Sequence, residues 1–203
     1  PMTEHHTSAV ITADDSLPVI RIVRDFSAPA EQVYRAHVDP DLFARWIGPA
    51  DVTTRIEFWD ARSGGSWAFS NLRNGEAYRF HGCFHEVAED RIVQTFTYDG
   101  YPEGVALETL RIEDLGDGRC RLHAQSLVDS FEGRDQFLAS GMETGVEQGY
   151  VKLDALLVPM LLVGAASVLY WRATERAGVG NVMPYGVLQG YSVVILFLLA
   201  LLQ

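Results

Sequence analysis

Four ionisable side chains in the middle of the chain are of types that take part in acid–base chemistry: Asp60, Glu108, Arg111 and His123. A catalytic pair must lie within hydrogen-bonding distance in the fold, and sequence spacing alone does not establish this. The sequence contains no nucleophile elbow, phosphate-binding loop, dinucleotide fingerprint or HExxH motif. It therefore predicts no catalytic residue, whereas His123 is kept as a candidate for ligand contact.

His81, Cys83 and His85 alternate along one segment, so they share one face of a strand. Imidazole and thiolate groups are good zinc ligands. However, residues two apart on a strand stand almost 7 Å apart, given a rise of about 3.3 Å per residue, so the three cannot converge on one ion without a bulge. We therefore expect these side chains to face outward, and we predict no metal and no cofactor.

Apolar side chains are the main candidates for ligand contact. The predicted aromatic set is Trp46, Phe58, Trp67, Phe69, Phe80, Phe84, Phe96 and Tyr98, and the set that faces it from a later helix is Met142, Gly145 and Val146. Apolar pockets with a few polar groups are typical ligand sites. The alternative is that these side chains simply fill a core.

Period-two alternation and turn residues predict seven strands that position these side chains. They are Val19 to Phe26, Thr53 to Asp60, Ser66 to Leu72, Ala77 to Val87, Arg91 to Tyr98, Val105 to Glu113 and Cys120 to Val128. The short spacing favours antiparallel hairpins. Two short helices, residues 30–37 and 41–46, follow the first strand.

After Ser130 the apolar period changes to three or four, which predicts one long helix from about Phe131 to Leu157. Glycines at 141, 145 and 149 would let this helix approach the sheet, or let a ligand lie against it. Because strands twist, a long antiparallel sheet curls around such a helix. The fold class is therefore α+β with two layers, in which a curved antiparallel sheet grips a long C-terminal helix.

Several short segments are similar to START-like proteins, in the branch named after the activator of heat-shock-protein-90 ATPase. They are DFSAPAEQVYRA (residues 25–36), DP (39–40), RWIGP (45–49), GGSW (64–67), FHGCF (80–84), RIV (91–93), and GM (141–142) followed by Gly145. The resemblance covers residues 19–157 and implies a helix-grip domain with a cavity between sheet and helix. It implies little about activity, because members bind lipids, sterols or hormones, cyclise polyketides, or assist a chaperone.

The ends of the chain differ from this domain. Residues 1–18 are polar, lack the apolar segment of a signal peptide and are expected to be disordered. Residues 158–203 are expected to form an apolar helical hairpin, with helices at 155–171 and 185–202, because each run approaches the length that spans a bilayer. The alternative is a helical pair that packs on itself or on a partner. The end at Gln203, directly after an apolar run, suggests a truncated or frame-altered chain or a missing remainder.

The composition of the chain disfavours some classes of binding partner. The formal net charge of −11 disfavours nucleic acid as a partner, and Cys83 and Cys120 have no zinc spacing. The leading hypothesis is a binding module for a small apolar or amphipathic ligand, tethered to a membrane through residues 155–202. The alternatives are a polyketide cyclase-type enzyme using a cavity His or acid, and a chaperone-assisting protein. The expected location is the cytoplasmic face of the membrane or, alternatively, the cytoplasm, with oligomer contacts possible through the tail.

Overall fold

The computed structural model describes residues 6–158, which form an antiparallel sheet and four helices. The strands are β1 (Val10–Ala13), β2 (Val19–Phe26), β3 (Thr53–Trp59), β4 (Ser66–Arg73), β5 (Glu76–Ala88), β6 (Arg91–Tyr98), β7 (Tyr101–Gly116) and β8 (Arg119–Leu127). Their spatial order is β1-β2-β8-β7-β6-β5-β4-β3. Consecutive strands pair as antiparallel hairpins, except that β2 pairs with β8 and not with β3, which lies at the far edge of the sheet. The predicted α+β class with a curved antiparallel sheet is confirmed.

Two short helices connect β2 to β3. They are α1 (Ala30–Val38) and α2 (Pro40–Trp46). Asp39 separates them: its backbone N–H donates to Arg35 as α1 ends, and its side chain accepts hydrogen bonds from the first amides of α2. Pro40 suits the first helical position, where no amide hydrogen is needed. The sharp corner brings Trp46 under the sheet.

The predicted long helix is divided in two. The first part is α3 (Phe131–Ala139), and the second is α4, residues 142–158, which reaches the last described residue. Gly141 between them has a φ of +84°, a left-handed conformation that glycine adopts without steric cost. The apolar period continues across the break, and for that reason the sequence pattern did not reveal it.

The N-terminal segment requires a correction. Residues 10–13 form the edge strand β1, which pairs with β2 from Val10–Val23 to Ala13–Ile20. Contacts near this strand add to the pairing, since the Ala9 amide donates to Glu147 of α4 at 2.9 Å. The prediction of disorder over residues 1–18 was therefore wrong for residues 10–13. Backbone hydrogen bonds to β2 order this segment, although the polar N-terminal sequence does not predict a strand.

The core lies between α4 and the inner face of β2, β7 and β8. Its fully buried members include Ile20, Leu122 and Leu153, and Tyr150 meets Phe26 edge to face with ring centroids 5.6 Å apart. This packing fixes α4 against one half of the sheet. The other half, β3 to β6, carries a separate aromatic cluster, and the candidate site lies where the two regions meet.

Candidate functional site

A cavity of about 310 Å³ lies beneath the inner face of the sheet and is bounded by α2 and α4. Aromatic rings dominate its wall: Phe43, Trp46, Trp59, Trp67, Phe69, Phe80, Phe84, Phe96, Phe137 and Tyr150. Many of these rings touch one another, as where Trp67 stacks on Phe69 with centroids 5.5 Å apart. Such a wall buries apolar surface and holds its shape through ring-to-ring contacts.

A second apolar cavity of about 600 Å³ lies beside the first, towards α3 and the start of α4. The two share lining residues, among them Phe80, Phe96, Met142 and Gly145. Tyr98 and Tyr101 line only the second cavity. Together the two cavities offer room for a ligand larger than either one alone could enclose.

Most of the predicted ligand-contact residues lie at these cavities. Those that line the first cavity are Trp46, Trp67, Phe69, Phe80, Phe84, Phe96, Met142, Gly145 and Val146, and Tyr98 lines the second. Their contact with a ligand stays a prediction.

Phe58 requires a correction, because its side chain is 54% exposed and lines neither cavity. The register between β3 and β4 shifts between Ile56 and Phe58, and this irregularity reverses which residues face inward. Trp59 takes the inward position instead, and its indole nitrogen donates to the carbonyl of Val38 at 2.7 Å. Strict alternation could not predict the shift.

His123 also requires a correction. It lies on the outer face of β8, where its Nε2 is 3.1 Å from Oε2 of Glu113. The inward positions of that strand belong to the residues on either side, Leu122 and Ala124. The sequence left both orientations open for His123, and apolar neighbours on both sides were the signal that could have decided.

The alternating histidines and cysteine of β5 face outward, as expected. His81 is hydrogen-bonded to Asp99 at 2.6 Å, and Cys83 is exposed. Over residues 6–158 no cluster of three or more His, Cys, Asp or Glu side chains could hold a metal ion.

His37 and Trp46 fix the end of the cavity near α1. The Trp46 indole donates to the carbonyl of Ala36 at 2.8 Å, and its ring lies 4.8 Å from that of His37. Burial lowers the pKa of His37 to about 4, only partly offset by its hydrogen bond with the carbonyl of Val33. His37 is therefore neutral at pH 7 and serves here as a packing group.

Glu108 brings an acidic group into this apolar wall. On the neighbouring strands, Gln94 donates to its Oε2 at 2.9 Å and Ser126 donates to its Oε1 at 3.2 Å. These residues are direct cross-strand partners, Gln94 with Glu108 and Glu108 with Ser126. Burial raises the pKa of Glu108, and the two hydrogen bonds oppose that rise in part.

The sequence named Glu108 as an acid without assigning it to the cavity. The signal was present, because Ala106, Glu108, Leu110 and Ile112 share one parity on β7 and the other three are apolar. Across the cavity, Tyr150 of α4 lies close enough for the Glu108 charge to add to the rise in its pKa, which burial causes first. Glu108 from the sheet and Tyr150 from α4 therefore line the same cavity.

Replacement of Glu108 by Gln is expected to stabilise the protein at pH 7. Because the folded state raises the pKa of this carboxyl, the parent loses stability as the pH rises above the ordinary value of 4.5, and the amide does not. Thermal unfolding of both proteins from pH 4 to pH 8 measures this. The gain should appear at neutral pH and shrink towards pH 4, and an equal gain at all pH values would contradict the assignment.

Glycines of α4 allow the α2–β3 loop to lie against the helix. A Cβ atom at Gly149 would approach the carbonyl oxygen of Trp46 to 3.2 Å, whereas at Gly145 it would meet only Pro49, at 3.7 Å. Lys152 fastens the loop by donating to the carbonyls of Ile47 and Pro49, at 3.2 and 3.1 Å. Gly149 therefore serves close backbone packing, while Gly145 borders open cavity.

Comparison with known proteins identifies the family to which this fold belongs. The family model described as Activator of Hsp90 ATPase homolog 1-like protein matches residues 27–158, which is most of the helix-grip domain. The chain belongs to this family. The predicted START-like relationship is thereby confirmed. No curated protein matches the chain.

Solved structures from bacteria share the fold. A protein from Arthrobacter aurescens, solved by NMR, is 25% identical with a TM-score of 0.68, over 74% of this chain and 91% of its own. A protein from Chromobacterium violaceum is 29% identical with a TM-score of 0.60, over 68% and 96%. A protein from Rhodobacter sphaeroides is 23% identical with a TM-score of 0.69, over 75% and 99%, and shows the fold alone.

The apolar hairpin expected at 158–203 lies outside the described residues, apart from Val158. Within the described range, no helix is both long and apolar enough to cross a bilayer.

Proposed function

We propose that the domain binds one small apolar or amphipathic molecule in the cavity between sheet and α4. The observation that carries this proposal is the aromatic cavity itself, which adjoins a second apolar cavity and contains a hydrogen-bonded carboxyl group. Apolar walls with a few placed polar groups are the usual composition of small-molecule sites. Membership of the family supports a binding module at the level of the fold.

We further propose that the C-terminal tail attaches this module to a membrane. The support is composition: after Asp154 the only charged residues are Arg172, Glu175 and Arg176. A membrane would also be a source of apolar ligands. The cyclase-type and chaperone-assisting hypotheses stay predictions, as does location at the cytoplasmic face.

The binding proposal is tested by titrating the full chain with the neutral fluorescent probe N-phenyl-1-naphthylamine. The parent should bind it with one saturable site per chain. Gly145→Leu should weaken binding roughly tenfold or more, a difference of about 1.4 kcal/mol per factor of ten, because the leucine side chain would occupy cavity volume. Circular dichroism should show an unchanged fold.

Glu143→Leu is the matched control, since it adds the same side chain to the exposed face of α4, two residues away. It should bind the probe as the parent does. Equal loss in both variants, or no loss in Gly145→Leu, would show that the fluorescence reports binding elsewhere, such as at the apolar tail.

A further inference from the structure

Glu108 has no ion-pair partner among the basic side chains of residues 6–158. Its two hydrogen-bond donors, Gln94 and Ser126, are both neutral. An ionised carboxylate accepts about four hydrogen bonds, so these two donors leave acceptor positions open. A charge in apolar surroundings is costly unless another group compensates it. A positively charged ligand group that donates hydrogen bonds would therefore fill the open acceptor positions of Glu108 and compensate its charge.

The aromatic rings that line the same cavity as this carboxyl favour the same kind of ligand. Trp46 stacks with Tyr150 at a centroid distance of 6.1 Å, and Trp67 lies 5.5 Å from Phe96, so the wall presents several aromatic groups. Faces of such rings attract cations, and tryptophan does so most strongly. The net charge of −11 adds a field that concentrates cations around the whole protein.

We infer that the preferred ligand is an apolar molecule with one basic amino group, which Glu108 binds as an ammonium ion within the aromatic cavity. This inference rests on the proposed binding function of the cavity. An ammonium group donates hydrogen bonds and neutralises the carboxylate at once. An alcohol would donate a hydrogen bond but leave the charge, and a ligand carboxylate would be repelled. Glu108 is thus the residue that determines specificity.

The test uses three compounds with one apolar body: 4-phenylbutylamine, 4-phenylbutan-1-ol and 4-phenylbutanoic acid. Each displaces N-phenyl-1-naphthylamine from the full chain at pH 7. The parent should bind the amine at least about tenfold more tightly than the alcohol, because the ammonium ion adds a direct charge–charge attraction to the Glu108 carboxylate that a low-dielectric site strengthens. The acid should bind most weakly, because its carboxylate is repelled. Glu108→Gln should remove the preference for the amine, so that the amine and the alcohol bind the variant with affinities within about twofold of each other.

Glu143→Gln is the control, because it removes one negative charge from an exposed position of α4. It should keep the preference for the amine. If the alcohol or the acid binds the parent as tightly as the amine, or if Glu108→Gln keeps the preference, the inference is overturned while the binding function stands. If the probe itself does not bind in the cavity, the binding function fails. The ranking in the parent is decisive even if a variant folds poorly.

Discussion

Gly82→Ala is expected to lower the free energy of unfolding by about 3 kcal/mol, at the upper end of the usual range for overpacking a core. A Cβ atom at this position would lie 1.9 Å from the carbonyl oxygen of Thr95 and 2.6 Å from the Trp67 ring. The hydroxyl of Thr95 accepts from the amide of Cys83 at 3.0 Å, so β5 and β6 are locked together there. The backbone cannot yield without disturbing both the sheet and the cavity wall.

Gly104→Ala is the control for this position, since it adds the same methyl group to another strand glycine. Its Cβ atom would meet the Tyr101 ring, which is 56% exposed and can turn away. Its cost should stay near or below about 0.5 kcal/mol, as for surface changes. Chemical denaturation measures both, and similar stabilities for the two variants would contradict the close approach described at Gly82.

Leu153→Ala is expected to cost about 3 kcal/mol, within the range of about 2–5 kcal/mol for deleting a buried leucine side chain. Leu153 is fully buried between α4 and the sheet, in the cluster that includes Ile20 and Leu122. Truncation would leave a void in the packing that holds α4 over the cavity. The midpoint of urea unfolding should fall accordingly.

Val151→Ala, two residues away on the same helix, serves as its comparison. Val151 is 55% exposed, so its truncation should change stability by less than about 0.5 kcal/mol. A large cost for Val151→Ala and a small one for Leu153→Ala would mean that α4 packs through a different face from the one described.

The sequence was sufficient to predict the sheet and its layering because alternation carries that information directly. Val19–Phe26 was predicted to the residue, and the outward direction of His81 and Cys83 followed from strand parity. These successes share a cause: each depends only on the regular two-residue period of a strand. The family resemblance then supplied what periodicity could not, namely the cavity between sheet and helix.

The misplacements have equally local causes. The predicted orientation of Phe58 was wrong because one irregularity in the β3–β4 pairing reverses which residues face inward, and no sequence pattern marks that irregularity. The break at Gly141 was hidden because apolar side chains continue at helical spacing on both sides. The importance of Glu108 depends on Gln94 and Ser126, which are distant in sequence and adjacent only across the sheet.

The most direct test of the central claim is to observe where an apolar molecule binds. The chain has four methionines, Met2, Met142, Met160 and Met183, so selective methyl labelling gives four resolved NMR signals. On addition of N-phenyl-1-naphthylamine, the Met142 methyl signal should shift through the ring currents of the bound probe, because Met142 lines both cavities. At a probe concentration that half-saturates the parent, Gly145→Leu should leave only a small fraction of that shift, because it weakens binding roughly tenfold or more. Movement of only the Met160 or Met183 signals would place the molecule on the tail and contradict the binding cavity.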